Sequence, residues 1–309
     1  MSLDRKFNAL DNMTDKQLRE LERILKAQYR TSLSEVQAEI AKVYVKYGTR
    51  GFLTYSEMQK YNRLSSLEKN LIEHLNSLYK NVSKEMFTSL GNTFSDAYLY
   101  TGFALETEAQ VKLAYALIPK KAIVEAIQTP LSGIKLSERL STNRKQIILK
   151  TREQLVQGLI QGESINKVSR RLTEVYHGDY KKSQRIARTE NNRIRNQATV
   201  DSYDHAENNG LEFKRVWLAT LDSRTRDTHK KLDGQVANDK GYFQSGRYKA
   251  KAPGGFGVAS EDINCRCTTR VQFDDVDEPK ERRARDEDGK GIIIPYTTYP
   301  EWVKNRVKK

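Results

Sequence analysis

Apolar residues return every three or four positions through most of the first two-thirds of the chain, and the pattern changes only after residue 210. Leu18, Leu21, Leu25, Tyr29, Leu33, Val36, Ile40, Val43 and Tyr47 form one stripe, which predicts a single helix over residues 14 to 47. Thr14 with Gln17 suits a capping box at its start, and Gly48 suits its end. Such a helix is roughly 50 Å long, so its stripe needs other helices or another subunit to cover it. Thr54 and Glu57 predict the cap of a second helix carrying Leu64, Leu67, Leu71, Leu75 and Leu78, followed by a third apolar stretch from Val82 to Leu105.

Residues 108 to 129 continue helical, Pro130 and Gly133 interrupt, and Arg144 to Ile160 resumes an amphipathic pattern. Gly162 then separates a short helix, Ser164 to Tyr176, from a longer one running from Asp179 to Glu207, with Gly178 expected between them. The segment GLIQGESINKVSRRL has the outline of a helix-turn-helix, but an ordinary helical hairpin accounts for it.

From Leu211 the period becomes two. Leu211 to Ala219 alternates and is rich in β-formers, Thr220 to Arg226 is a polar turn, and Thr228 to Leu232 suits a short helix. Six glycines crowd the segment that follows, before Cys265 to Phe273 reads as a strand. We therefore expect a mainly α, elongated protein with long N-terminal helices, a central helical region and a small α+β C-terminal module. The expected boundaries are residues 1–130, 131–208, 209–274 and 275–309. A module of about 65 residues with so few large apolar side chains needs a metal, a partner or a neighbouring domain. The last segment combines a charged run, DDVDEPKERRARDEDGK, read as disordered or partner-bound, with an apolar end from Ile292 to Trp302 suited to docking in a groove.

Charge narrows the partners. The chain has 309 residues with 54 Lys and Arg against 40 Asp and Glu, a formal excess of +14, which favours polyanions. Between Arg139 and Arg195 there are 14 basic and 5 acidic residues, so we assign phosphate contacts to Arg144, Lys145, Lys150, Arg152, Lys167, Arg170, Arg171, Lys181, Lys182 and Arg185. No apolar run is long enough to span a bilayer, and Met1 to Asn8 lacks the apolar core of a secretory signal, so a cytoplasmic site of synthesis is expected.

The two cysteines, Cys265 and Cys267, are too close in sequence for a structural disulfide. In a strand they point to the same face, so they present two sulfurs together. His229 is a third donor, with Asp222, Asp233 or His205 as the fourth, and zinc as the natural ion. The alternative is a packed thiol pair beside a His229 that bonds Asp222 or a carbonyl. His74, beside a leucine stripe, is assigned no function.

Ala187-Arg188-Thr189-Glu190, Trp217, Asp222-Ser223-Arg224-Thr225-Arg226, His229, Asp233-Gly234 and Asn264-Cys265-Arg266-Cys267 follow one another in that order. Together they closely resemble the phage Mu protein F-like family of minor head, or head morphogenesis, proteins. The specific match covers about residues 188 to 270. The resemblance implies a low-copy structural protein of a tailed bacteriophage virion, made in the host cytoplasm and held in the head interior. It also implies binding to the portal and to capsid or scaffold proteins, contact with double-stranded DNA, and ejection with the genome.

From the residues themselves, Arg188, Glu190, Asp222, Arg224 and Arg226 read as an ion-pair network pinning strand to helix, with Trp217, Gly234 and Asn264 as structural parts of the motif. The competing reading is a phosphodiester-acting, nuclease-like enzyme using Arg224, Arg226 and His229. No nucleotide-binding glycine loop or hydrolase elbow is present, and an active nuclease beside a packaged genome would be a hazard, so no catalytic role is expected.

Overall fold

The computed structural model describes residues 2–273, 281–285, 291–298 and 301. Five longer helices and one short one come first: α1 (Leu3–Tyr47), a short α2 (Tyr55–Gln59) that runs through a 3-10 turn (Lys60–Asn62) into α3 (Arg63–Ala109), α4 (Lys120–Gln128), α5 (Leu136–Ile160) and α6 (Ile165–Asn208). Short elements follow: β1 (Lys214–Leu218), α7 (Asp227–Leu232), β2 (Phe243–Ser245), β3 (Tyr248–Ala250), α8 (Ala259–Asp262), β4 (Thr268–Gln272), β5 (Glu281–Arg285) and β6 (Gly291–Pro295). The mainly α expectation, with a small strand-containing C-terminal region, holds. No described helix is long and apolar enough to cross a membrane.

The chain divides into two compact units that are discontinuous in sequence, whereas the expected boundaries were contiguous. One comprises Met1–Arg19, Ser89–Gly133 and Arg188–Lys309, the other Glu20–Thr88 and Ile134–Ala187. Helix pairing across long sequence separations produces this, because each long helix must bury a stripe that its own neighbours in sequence cannot cover.

The second unit is helical. Its core takes Leu25, Val36 and Ile40 from α1, Leu71, Leu75 and Val82 from α3, Ile147 and Leu155 from α5, and Val168, Leu172 and Tyr176 from α6. A polar group lies inside it: Tyr29 and Tyr79 both donate to Asp179 Oδ2, at 2.7 and 2.5 Å, and Ser183 Oγ lies 2.8 Å from the Tyr29 hydroxyl. Gly158 lets α5 approach α6, since a Cβ there would meet Val168 Cγ2 at 2.5 Å.

The first unit holds the strands. β1 and β4 pair antiparallel with Trp217 opposite Thr269, β2 and β3 form a hairpin, and β5 pairs with β6. Trp217, Ala219, Leu232, Phe243, Ala250, Phe256, Cys265 and Cys267 form the module's core. The C-terminal half of α6 braces it: Asn192 and Asn196 donate to the Cys267 carbonyl, Thr189 Oγ1 accepts the Asn264 N–H, and Tyr203 donates to the Thr269 carbonyl.

Several local expectations change. Thr14 does not cap α1; the helix starts at Leu3 and the Thr14 hydroxyl donates back to the carbonyls of Leu10 and Asp11. Thr54 does cap α2, accepting from the Glu57 N–H. Residues 110–119 are not helical, and Gly178 does not end a helix, because α6 runs through it unbroken. A single glycine costs only about 1 kcal/mol in a helix whose other face is well buried.

The C-terminal segment is not uniformly without structure. Ile292 and Ile294 on β6 pack against Leu221 and Ala284, so the apolar end closes on its own chain. Residues 299, 300 and Trp302 of this end lie outside the described residues, as do 274–280 and 286–290.

Candidate metal centre

The expected strand begins only at Thr268, so Cys265 and Cys267 lie in the extended segment leading into β4, and this segment and helix α7 together create the one site of concentrated soft donors among the described residues. Asn264 takes a left-handed φ of +57°, a conformation asparagine tolerates, and this kink turns the chain from α8 into the Cys265-Arg266-Cys267 segment. The two cysteines then face inward while Arg266 between them faces outward, as alternation requires. Helix α7 supplies His229, and the ligand atoms of His229, Cys265 and Cys267 all lie within 4.8 Å of one another, each residue buried. His229 Nδ1 is 3.6 Å from Cys265 Sγ and 3.4 Å from Cys267 Sγ.

The other side of the imidazole is held by a residue the sequence did not single out. His229 Nε2 lies 3.0 Å from Glu261 Oε2, and the same oxygen accepts from the Thr228 hydroxyl at 3.0 Å. A carboxylate there suits a ring proton on Nε2 and turns Nδ1 toward the sulfurs. Trp217 and Phe256 flank the ring. Glu261 is reachable only by tertiary folding, since it lies 32 residues from His229; its sole sequence signal is an acidic residue shortly before the cysteine pair.

The thiols titrate as a pair. Burial opposes ionisation of Cys267, but hydrogen bonds with Cys265 and His229 and the Thr220 N–H outweigh it and bring the group down to about 5. Cys265 moves the other way, first through its hydrogen bond with Cys267 and then through burial.

None of the expected fourth donors joins them. Asp222 is taken by Arg266. Asp233 accepts the Ala219 N–H at 2.8 Å and pairs with the fully buried Arg282. His205 Nε2 lies 2.7 Å from the Leu113 carbonyl and packs against Tyr98 and Tyr115.

The expected single ion-pair network is resolved into separate groups. Asp222 receives both Nη atoms of Arg266, with the exposed Arg224 side chain at 3.7 Å and the Arg224 N–H at 2.9 Å. Arg226 touches neither Asp222 nor Glu190; it donates to the carbonyls of Glu261 and Ile263, clamping α8. Glu190 pairs at 2.7 Å with Arg193, which donates onward to the carbonyls of Ala126 and Ile127, while Arg188 is exposed. Trp217 is fully buried. Gly234, at φ +78°, returns its N–H to the Trp217 carbonyl. Arg224, Arg226 and His229 therefore do not converge: the first is in solvent, the second clamps a backbone and the third is 1% exposed.

The basic residues lie on α5 and α6. Lys167, Arg170, Arg171, Lys181, Lys182 and Arg185 fall within about 60° of one line along α6, opposite the buried Val168–Leu172–Tyr176–Asp179–Ser183 stripe. Lys145, Lys150, Arg152, Lys167, Arg170, Lys181 and Arg185 are exposed. Arg171 is engaged by Glu163 and the Gln154 carbonyl, Lys167 also reaches Glu163, Arg152 pairs with Glu68, and Lys182 donates to Gln146. Arg144 is half-buried.

Residues 150–270 match the model of the family described as phage Mu protein F like protein. The chain is 30% identical to minor head protein GP7 of Bacillus phage SPP1 over 298 residues, 96% of each chain. It is also 32% identical over 283 residues to the NAD(+)--arginine ADP-ribosyltransferase EFV of Enterococcus faecalis, covering 91% of this chain but 56% of that protein. No solved structure is a significant match. With the motif residues in place around one small core and an end-to-end similarity to a minor head protein, the chain belongs to the phage Mu protein F-like family of minor head proteins.

Proposed function

We propose that this protein acts in phage head morphogenesis as a structural component of the virion head, seated at the portal and inner capsid and touching the packaged double-stranded DNA. The observation that carries the reading is the similarity to GP7 across 96% of both chains, which leaves no large part of either protein without a counterpart. The motif block supports it from the inside, since its acids and bases are spent on holding backbone and core together. The exposed basic line on α6 supports a sequence-independent phosphate contact, because lysine and arginine on a solvated helix face release counterions without reading bases. Ejection with the genome is the further step of the same reading. Affinity capture of the tagged protein from assembled heads, followed by identification of co-purifying proteins, tests it: portal protein should be recovered in constant ratio, and its absence would remove the portal assignment.

An enzymatic reading has a specific observation behind it, the likeness to the ADP-ribosyltransferase EFV. We weigh it below the structural role because the shared 283 residues are the same region that aligns with a head protein, and the chain spans about half of EFV. The nuclease alternative needs a solvent-facing histidine, and His229 is enclosed. Incubating the protein with labelled NAD and arginine-rich acceptor, and separately with duplex DNA, should give neither transfer nor cleavage; transfer at a rate proportional to protein would reverse this ranking.

A further inference from the structure

The geometry points to a zinc site built from Cys265 Sγ, Cys267 Sγ and His229 Nδ1, with Glu261 as the residue that orients the histidine.

The first argument is one of length. In a tetrahedral site with Zn–S near 2.3 Å and Zn–N near 2.05 Å, the edge between a sulfur and a nitrogen is about 3.5 Å. The two S···N separations here are 3.6 and 3.4 Å, close to that edge, and all three donor atoms lie within 4.8 Å of one another. The second argument is the imidazole's far side. Histidines that bind metal through one nitrogen commonly donate the other to a carboxylate, which fixes tautomer and ring plane. Glu261 does this from 7% exposure and is itself held by Thr228.

The third argument is architectural. The three donors occupy the centre of a core that also contains Trp217, Leu232, Phe243 and Phe256, and a module this small gains a cross-link between α7 and the segment leading into β4. This site is independent of the portal and DNA assignments, so its failure leaves them standing.

The test uses the full chain, purified under reducing conditions and stripped of metal, then titrated with Co²⁺. One equivalent should produce a thiolate-to-cobalt charge-transfer band, and Zn²⁺ should displace it stoichiometrically with release of protons. The double variant C265S/C267S should show no band. E261Q should keep the band and bind Co²⁺ about 10- to 100-fold more weakly. If the double variant does not fold, the wild-type titration still decides. Folded, reduced wild-type protein that gives no band would overturn the site, and E261Q binding as tightly as wild type would overturn the role of Glu261.

Discussion

Arg266, the residue between the two inward-facing cysteines, lays both terminal nitrogens of its guanidinium on the carboxylate of Asp222, with Nη2 2.9 Å from Oδ1. This fork joins the β1–α7 turn to the cysteine segment, and the same turn is fastened again where the Thr220 hydroxyl donates to the Arg266 carbonyl at 2.7 Å. One face of a three-residue stretch thus carries the sulfur pair, and the other carries the clamp that keeps the pair in place.

Arg266→Ala should therefore destabilise the protein by about 2–3 kcal/mol, below the cost of breaking a fully buried pair because Arg266 is partly exposed. Burial alone would raise the Asp222 carboxyl, but Arg266 and then the Arg224 N–H outweigh it, so the group sits below the ordinary carboxylate range. A folded value below the unfolded one gives stability that is present above about pH 4 and is lost as pH falls further. Urea unfolding between pH 3 and 7 should show that acid loss in wild type and a flatter profile in Asp222→Asn. An equally steep profile in the variant would show that another carboxylate carries it.

Asp179 has the opposite sign. Burial among Tyr29, Tyr79 and Ser183 raises its carboxyl above the ordinary value, against the lowering effect of the two tyrosine hydroxyls, Lys182 and Lys150. A raised folded value contributes stability below the unfolded value, near pH 4, that is lost as pH rises through the folded one. The advantage of wild type over Asp179→Asn should accordingly be larger in acid than at neutrality. Matched unfolding curves from pH 4 to 8 check this, and a gap that widens toward pH 8 would contradict it.

The close approach of α5 and α6 rests on the missing side chain at Gly158. Gly158→Ala would place a methyl 2.5 Å from Val168 Cγ2 and 3.2 Å from Arg171 Nη2. Overpacking of this kind costs about 1–3 kcal/mol, even though alanine is the better helix former. The double variant G158A/V168A should recover part of the loss in a thermal denaturation series. No recovery would mean that the contact with Val168 is not the cause.

On DNA, replacing Arg170, Lys181 and Arg185 with glutamate changes exposed positions only, and leaves Arg171 to Glu163 and the Gln154 carbonyl. Each lost phosphate contact removes about 0.9 from the slope of log affinity against log salt, so the triple variant should flatten it by about 2–3. Binding to random duplex, followed by fluorescence anisotropy at several salt concentrations, provides the slopes. Equal slopes would place the phosphate contacts elsewhere.

Periodicity placed the buried stripes of the long helices, though not the start of α1 or the continuity of α6, because a helix that buries one face must repeat its apolar residues at three and four, whatever it packs against. The burial of Leu21, Leu25, Tyr29, Val36 and Ile40 on α1 follows that rule directly. So does the mainly α class with its late switch to short strands. The cysteine pair was legible for a similar reason, since alternation in an extended segment forces Cys265 and Cys267 to one side. The motif order from Arg188 to Cys267 carried the family, which the similarity to GP7 bears out.

Pairings between distant residues were decided by the tertiary structure alone. The sequence grouped Arg226 with Asp222 and Glu190 in one network, yet Arg266 takes Asp222 from 44 residues away and Arg226 clamps α8 instead. Glu261 reaches His229, Arg193 takes Glu190, and Arg282 from the charged tail is drawn into the core by Asp233. The physical reason is common to all of them. A buried charge goes to whichever opposite charge or carbonyl folding brings within hydrogen-bond reach, and sequence separation does not enter that energy. Helix continuity through Gly178 has the same origin, since the buried Tyr176, Asp179 and Ser183 on either side hold α6 in register against a local cost that is small by comparison.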